Sequence, residues 1–307
     1  MKIAIIGAAG GIGSSVAYTL AREGVGDELL LVDRNEDALK THVWDLEQLR
    51  VSVRPFEVRA VALEQVVEAD VVVVSASVPP RKDSPRIEFL AENVSIYRDV
   101  ARALAARPDW PGVVVVATNP VDPLLTELQR ATGIDRRRIV GYNVNDTLRL
   151  RYGISEALGV EPHRVDAWVL GEHGDRCVPL LDRVKVDDAP VTLDEAQRKA
   201  VVDYQIGWYP RWVALGVLRT STWTSGNGIT AMVRAIVEGR DEVWPASLVL
   251  DGEYGIDGVA LGVPVLLGPG GVREVLDWQL SEAELAGMRE GAAYVAEALA
   301  AVTAQPS

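Results

Sequence analysis

The chain has one cysteine, Cys177, in 307 residues, which leaves no internal disulfide and no cysteine-cluster metal site. It is also short of basic charge. Lys and Arg total 31 against 44 Asp and Glu, a formal net charge of −13. The longest basic run is Arg136-Arg137-Arg138. Nucleic-acid binding needs a basic stripe facing phosphates, and an anionic membrane surface needs a basic patch, so both roles are disfavoured. No apolar run approaches the roughly 18 residues that span a bilayer. The opening run Ile3 to Ile6 is too short for a signal peptide. Repeats and low-complexity linkers are absent, and histidine occurs only three times. Apolar residues are plentiful, at 48%, enough for about two domains or one large α/β unit. The expectation is a soluble, cytoplasmic α/β protein acting on small molecules.

Short, unalternating runs occur at Ile3 to Ile6, Leu29 to Val32, Val71 to Val74 and Val113 to Val116. Such runs suit strands buried on both faces of a parallel sheet. Amphipathic stretches between them, including Ser14 to Arg22 and Ile87 to Ala105, predict helices. Strand–helix alternation predicts a doubly wound parallel sheet over residues 1–144. Strands thin out and tryptophans become commoner near residue 145, so residues 145–307 are expected to form a second, α+β domain. Hairpins are expected around Asp187 to Pro190, and between Ser247–Leu250 and Val259–Leu267. A capping box, Ser281 with Glu284, starts a C-terminal helix whose apolar residues Leu285, Met288, Ala292, Val295 and Leu299 share one face.

The first strand runs into Gly7-Ala8-Ala9-Gly10-Gly11-Ile12-Gly13 and then a helix. Absent side chains allow a tight turn and let a pyrophosphate approach the backbone at a helix N-terminus. The second strand ends at Asp33, twenty residues after Gly13. A carboxylate there accepts both ribose hydroxyls of NAD and repels a 2′-phosphate, although Arg34 next door softens that repulsion. His42 and His163 lack patterned neighbours and are assigned structural or surface roles. His173, in Gly171-Glu172-His173-Gly174-Asp175, follows the apolar run Ala167 to Leu170 and is placed to exchange a proton. Such a base needs an orienting carboxylate, and Asp146 shares a helix face with Arg149 at i and i+3. That face would offer a carboxylate to the imidazole and a guanidinium to an anion. Taken alone, the pair would be better read as a local surface ion pair.

These stretches, with Asn119-Pro120-Val121-Asp122, Asp146 to Arg151, Glu253-Tyr254-Gly255 and Leu261-Gly262-Val263-Pro264, resemble the lactate/malate dehydrogenase family over essentially the whole chain. The glycine loop looks like the malate dehydrogenase version. The resemblance implies a Rossmann cofactor domain and NAD-dependent hydride transfer at C2 of a small 2-hydroxy acid. It implies His173 as proton acceptor and donor, Asp146 as its orienting partner, and Arg149 as the clamp on the substrate carboxylate. By the same resemblance, Asn119 meets substrate and nicotinamide ribose, and Asn93 and Thr118 lie on the cofactor side. Arg86 is the lid arginine that polarises the C2 oxygen. The resemblance also implies a homodimer or homotetramer and no metal.

The resemblance makes Arg81 the candidate for the family's specificity position at the start of the lid, where an arginine favours a dicarboxylate such as malate. The lid, Val78-Pro79-Pro80-Arg81-Lys82-Asp83-Ser84-Pro85-Arg86, departs from the family pattern in an extra proline and a shorter arginine spacing. A lactate-type or specialised 2-hydroxy acid therefore stays open as the alternative. Asn145 replaces an apolar residue of the family and is positioned to recognise an extra substrate group. On the far wall, Ser221 or Thr222 is expected at the substrate and Ser225 near the nicotinamide. Trp208 to Trp212 reads as a packing or subunit surface. An NAD-dependent glycosidase would need a Cys/His metal site that Cys177 does not supply. The proton-transfer pair and arginine clamp argue against a non-catalytic NAD-binding protein.

Overall fold

In chain order the elements of the computed structural model are β1 (Lys2–Ile6), α1 (Gly11–Glu23), β2 (Glu28–Val32), α2 (Glu36–Leu49), β3 (Glu57–Ala60), β4 (Val71–Val74), α3 (Arg86–Ala105), β5 (Val113–Val116), α4 (Val121–Thr132), β6 (Ile139–Tyr142) and α5 (Val144–Leu158). There follow β7 (Val165–Asp166), β8 (Val169–Gly171), β9 (Cys177–Pro179), β10 (Lys185–Val186), β11 (Ala189–Pro190), α6 (Glu195–Ala214), α7 (Thr222–Glu238), β12 (Val243–Asp251), β13 (Asp257–Gly268), β14 (Gly271–Val275) and α8 (Glu282–Thr303). The structure describes residues 1–78, 86–216 and 221–303.

The first six strands lie parallel in the order β3-β2-β1-β4-β5-β6. This is the doubly wound dinucleotide-binding order, whose crevice opens at the carboxyl ends where the strand order reverses, between β1 and β4. The strands are short and β-branched because helices cover both faces: every residue of Val71–Val74 and Val113–Val116 is buried. The sheet does not stop at residue 145. β12 continues it antiparallel to β6, and β13, β8 and β9 follow. One apolar cluster runs from Ile3 and Leu31 through Leu248 and Leu261 to Met288.

Two close approaches seat α7 on the first half. A Cβ on Gly226 would fall 2.1 Å from Ser15 Oγ, and one on Gly228 would fall 2.0 Å from Tyr142 Oη. Among the described residues no helix is long and apolar enough to cross a membrane.

Both expected hairpins form. Asp187 and Asp188 take φ of 49° and 64°, the pair of left-handed residues that a tight two-residue turn requires. The capping box also forms: Ser281 N–H donates to Glu284 Oε2 at 2.7 Å and Glu284 N–H to Ser281 Oγ at 3.3 Å. One strand is corrected. The apolar run Ala167 to Leu170 was expected to be a strand throughout, but β8 begins at Val169. The carbonyl of Trp168 instead takes the Leu180 N–H at 2.9 Å, and its ring packs edge-on to Trp278.

Candidate active site

The glycine turn is shaped by close backbone approaches. Gly7 and Ala8 donate N–H bonds to Val32 O at 2.8 and 3.1 Å, tying the turn to the end of β2. Gly7 has φ +87°, and a Cβ there would lie 2.5 Å from Ala76 N. A Cβ on Gly13 would lie 2.2 Å from Gly7 O. Gly10, Gly11 and Ile12 line the crevice. Gly10 caps α1 with no side chain, so the first-turn amides keep their capacity for an anion. Asp33, one residue past β2, also lines the crevice; its carboxylate accepts Ala9 N–H at 3.0 Å and Asn35 N–H at 2.9 Å. The turn thereby orients the carboxylate that would meet a ribose.

Across the crevice, Thr118 and Asn119 follow β5 and line it. The Thr118 hydroxyl donates to Ala76 O at 2.8 Å. Asn93 is not among the residues lining the crevice. It is 0% exposed; its Oδ1 takes Val78 N–H at 2.9 Å and its Nδ2 donates to Asn119 O at 3.3 Å. It ties Val78 to Asn119, two residues that line the crevice. The crevice encloses about 1910 Å³ and extends from Asp33 to His173. That exceeds an ordinary small-ligand pocket of roughly 300–1,000 Å³ and suits a dinucleotide with a substrate beside it. His42, expected in a structural or surface role, lines it.

Two neighbouring parallel strands each launch a helix whose first turn carries an acid aimed at His173. Asp146, in the first turn of α5, brings Oδ2 within 2.6 Å of His173 Nδ1. A carboxylate only accepts, so Nδ1 carries the proton and Nε2 is left for the crevice. Asp122, in the first turn of α4, accepts the His173 backbone N–H at 2.7 Å. Ring and backbone are thus held by different acids. Burial opposes charge on the imidazole, but the Asp146 carboxylate outweighs it, so His173 titrates above its ordinary value. Burial pushes Asp122 up to about 7 and the Cys177 thiol up to about 12. Burial also raises Glu172, whose carboxylate accepts Arg176 N–H at 3.1 Å.

Arg149 Nη1 donates to Asp146 Oδ1 at 2.9 Å, so one carboxylate holds both the imidazole and the guanidinium. The Arg149 guanidinium carbon lies 3.9 Å from the centre of the Trp208 ring, and Trp208 stacks on Trp212 with centroids 5.0 Å apart. Gln205 on the same helix donates to Asp146 O at 3.3 Å.

The structure brings His173, Asp146, Arg149 and Asn119 to one crevice with Gly7, Gly10, Gly11, Ile12 and Asp33. Others fall elsewhere. Asn145 is buried, takes Tyr142 Oη at 2.9 Å and donates to Ser225 Oγ at 2.9 Å. Neither Asn145, expected to recognise an extra substrate group, nor Ser225, expected near the nicotinamide, is among the residues lining the crevice; their bond joins α5 to α7. Ser221 precedes α7 and is not among the residues lining the crevice, whereas Thr222 and Trp223 are. Arg81 lies outside the described residues. Arg86 opens α3, and its side chain is likewise outside them. Trp208 and the anchoring role of Asp122 were missed. Asp122 stood in a quoted motif, but its partner is 51 residues away.

The model of the lactate/malate dehydrogenase NAD-binding domain matches residues 1–141, and that of the alpha/beta C-terminal domain of the same family matches 215–305. The malate dehydrogenase of Natronomonas pharaonis is 34% identical over 291 residues, covering 92% of this chain and 93% of that protein. The L-lactate dehydrogenase of Mesoplasma florum is 32% identical, covering 94% and 93%. Among solved structures, Cryptosporidium parvum malate dehydrogenase superposes with a TM-score of 0.91 at 26% identity, over 99% of each chain. The minor L-lactate dehydrogenase of Enterococcus mundtii gives 0.90 at 28%, over 100% of this chain and 99% of that one. The chain belongs to the lactate/malate dehydrogenase family. It is an NAD-dependent oxidoreductase acting on CH–OH donors, transferring hydride between NAD and a small 2-hydroxy acid.

Proposed function

We propose that the chain interconverts malate and oxaloacetate, with His173 as the proton-transfer group. The carrying observation is the shared carboxylate: Asp146 holds the His173 ring at 2.6 Å and the Arg149 guanidinium at 2.9 Å. NAD, when bound, supplies the hydride acceptor or donor. Its phosphates would be held by the first-turn amides of α1 at Gly10 to Ile12, its ribose by Asp33, and its nicotinamide end beside Thr118 and Asn119. Arg149 binds the C1 carboxylate through its remaining N–H groups and so sets which face of C2 is presented. In the oxidative direction His173 Nε2 takes the hydroxyl proton. In the reductive direction the protonated imidazole returns it and stabilises negative charge growing on the carbonyl oxygen. Asp146 favours the imidazolium and fixes its tautomer. Arg86 is assigned the polarising role on that same oxygen.

Arg81 is proposed to pair with the second carboxylate of malate, in keeping with the malate dehydrogenase relatives. A steady-state panel of 2-oxo acids with NADH tests this. Oxaloacetate is expected to lead in kcat/KM, and Arg81→Gln is expected to move the preference toward pyruvate-like acids. Unchanged selectivity would remove Arg81 as the reader. A lactate-type or bulkier 2-hydroxy acid is the second reading, favoured by Ile206 and Tyr209, apolar residues of α6 that line the crevice. Pyruvate or a larger oxo acid leading the panel would install it. The reading also includes a cofactor domain at 1–144 and a substrate domain at 145–307, a cytoplasmic location, and a homodimer or homotetramer, checked by light scattering.

A further inference from the structure

We propose that Trp208 is a positioning residue for substrate recognition: its indole face sets the plane of the Arg149 guanidinium so that the free edge of that group meets the substrate carboxylate. The inference rests on the reading of Arg149 as the carboxylate clamp. A guanidinium on a flexible stem has many orientations, and bidentate binding of a carboxylate accepts few. Two contacts remove that freedom here. The Nη1 bond to Asp146 Oδ1, at 2.9 Å, fixes one end of the fork. The Trp208 ring, 3.9 Å from the guanidinium carbon, fixes the plane. The other N–H groups of Arg149 have no partner among the described residues, and Arg149 lines the crevice.

The indole is itself held. Trp212, one turn further along α6, stacks on it at 5.0 Å with planes 22° apart. α6 lies close on α5, since a Cβ on Gly153 would sit 3.0 Å from Tyr204 Cδ1. Tyr152 and Tyr204 rings meet at 5.6 Å. The Gln205 amide donates to Asp146 O at 3.3 Å. α6 therefore braces the clamp from its uncharged side, while α5 supplies its charge. The stack also covers one face of the guanidinium, which strengthens its attraction for a carboxylate at the uncovered edge.

The test is steady-state kinetics with NADH and the preferred 2-oxo acid, alongside NADH affinity from fluorescence titration. Trp208→Leu keeps bulk and removes the π face; Trp208→Phe keeps a face. The expected result is a KM for the oxo acid raised about tenfold in Trp208→Leu, kcat within about threefold, NADH affinity unchanged, and near-native KM in Trp208→Phe. Adding Trp208→Leu to Arg149→Lys is expected to raise KM little further, because the planar fork is already gone. Unchanged KM in Trp208→Leu, or losses of KM, kcat and NADH affinity together that Phe does not rescue, would overturn the proposal. Arg149→Lys separates the levels. If it raises KM while Trp208→Leu does not, the clamp stands and the stack fails. If it leaves KM unchanged, the clamp reading itself falls, and the role of the stack with it.

Discussion

The two ends of the crevice are built by opposite means. At the cofactor end the shape is backbone: Gly7 and Gly13 allow contacts that a Cβ would block at 2.5 and 2.2 Å, and Val32 O ties the turn in place. At the substrate end the shape is charge: Asp146, Arg149 and His173 hold one another between α5 and the loop after β8. A backbone-built site is vulnerable to added atoms and indifferent to neutral isosteres. A charge-built site is the reverse.

The largest effect is expected from His173→Ala, which should lower turnover by roughly 10²- to 10⁴-fold while NADH titration stays native. Retained turnover would break the contrast at its centre. Next, Asp146→Asn should lower turnover by about 10²-fold and shift the pH profile. His173 titrates above its usual value because of Asp146, and reduction needs the protonated ring. The alkaline fall of the reductive rate should therefore move to lower pH in Asp146→Asn. An unmoved limb would mean that another group titrates.

Gly13→Ala should act on the other end only. Overpacking against Gly7 O costs about 1–3 kcal/mol and should weaken NAD binding about tenfold, with kcat at saturating NAD within a few-fold of native. A loss of kcat equal to that of His173→Ala would erase the distinction. The smallest effect is expected at Asp122→Asn. Its amide oxygen can still accept the His173 N–H, so turnover should fall no more than a few-fold. The carboxyl titrates near 7 when folded, well above its ordinary range near 4, so its contribution to stability is lost as pH rises from about 4 to about 7 and changes no further above that. The melting temperature of Asp122→Asn relative to native should therefore climb between about pH 5 and pH 7 and level off above it. A difference independent of pH would show that this acid does not titrate in that window.

The contrast also explains what could be read from the chain. The glycine turn, the four buried strands and the Asp146–Arg149 pair are local in sequence, and each has its own period or spacing. His173 was legible because it sits among glycines at a strand end. The burial of Asn93, Asn145 and Ser225 was not legible, since whether a polar side chain faces ligand or braces a neighbouring element leaves no periodic trace. α6 gave no warning of Trp208, because Ile206, Tyr209 and Val213 are exposed on the same helix. Its aromatic run reads equally as packing or contact until α5 is set against it.

The paired acids of α4 and α5 bear on how this scaffold can change over time. Each helix turns about 100° per residue. Inserting or deleting a single position between β5 and Asp122, or between β6 and Asp146, would swing that acid a quarter-circle or more around its axis and strand the imidazole. Substitutions can drift through these junctions, but their length is locked.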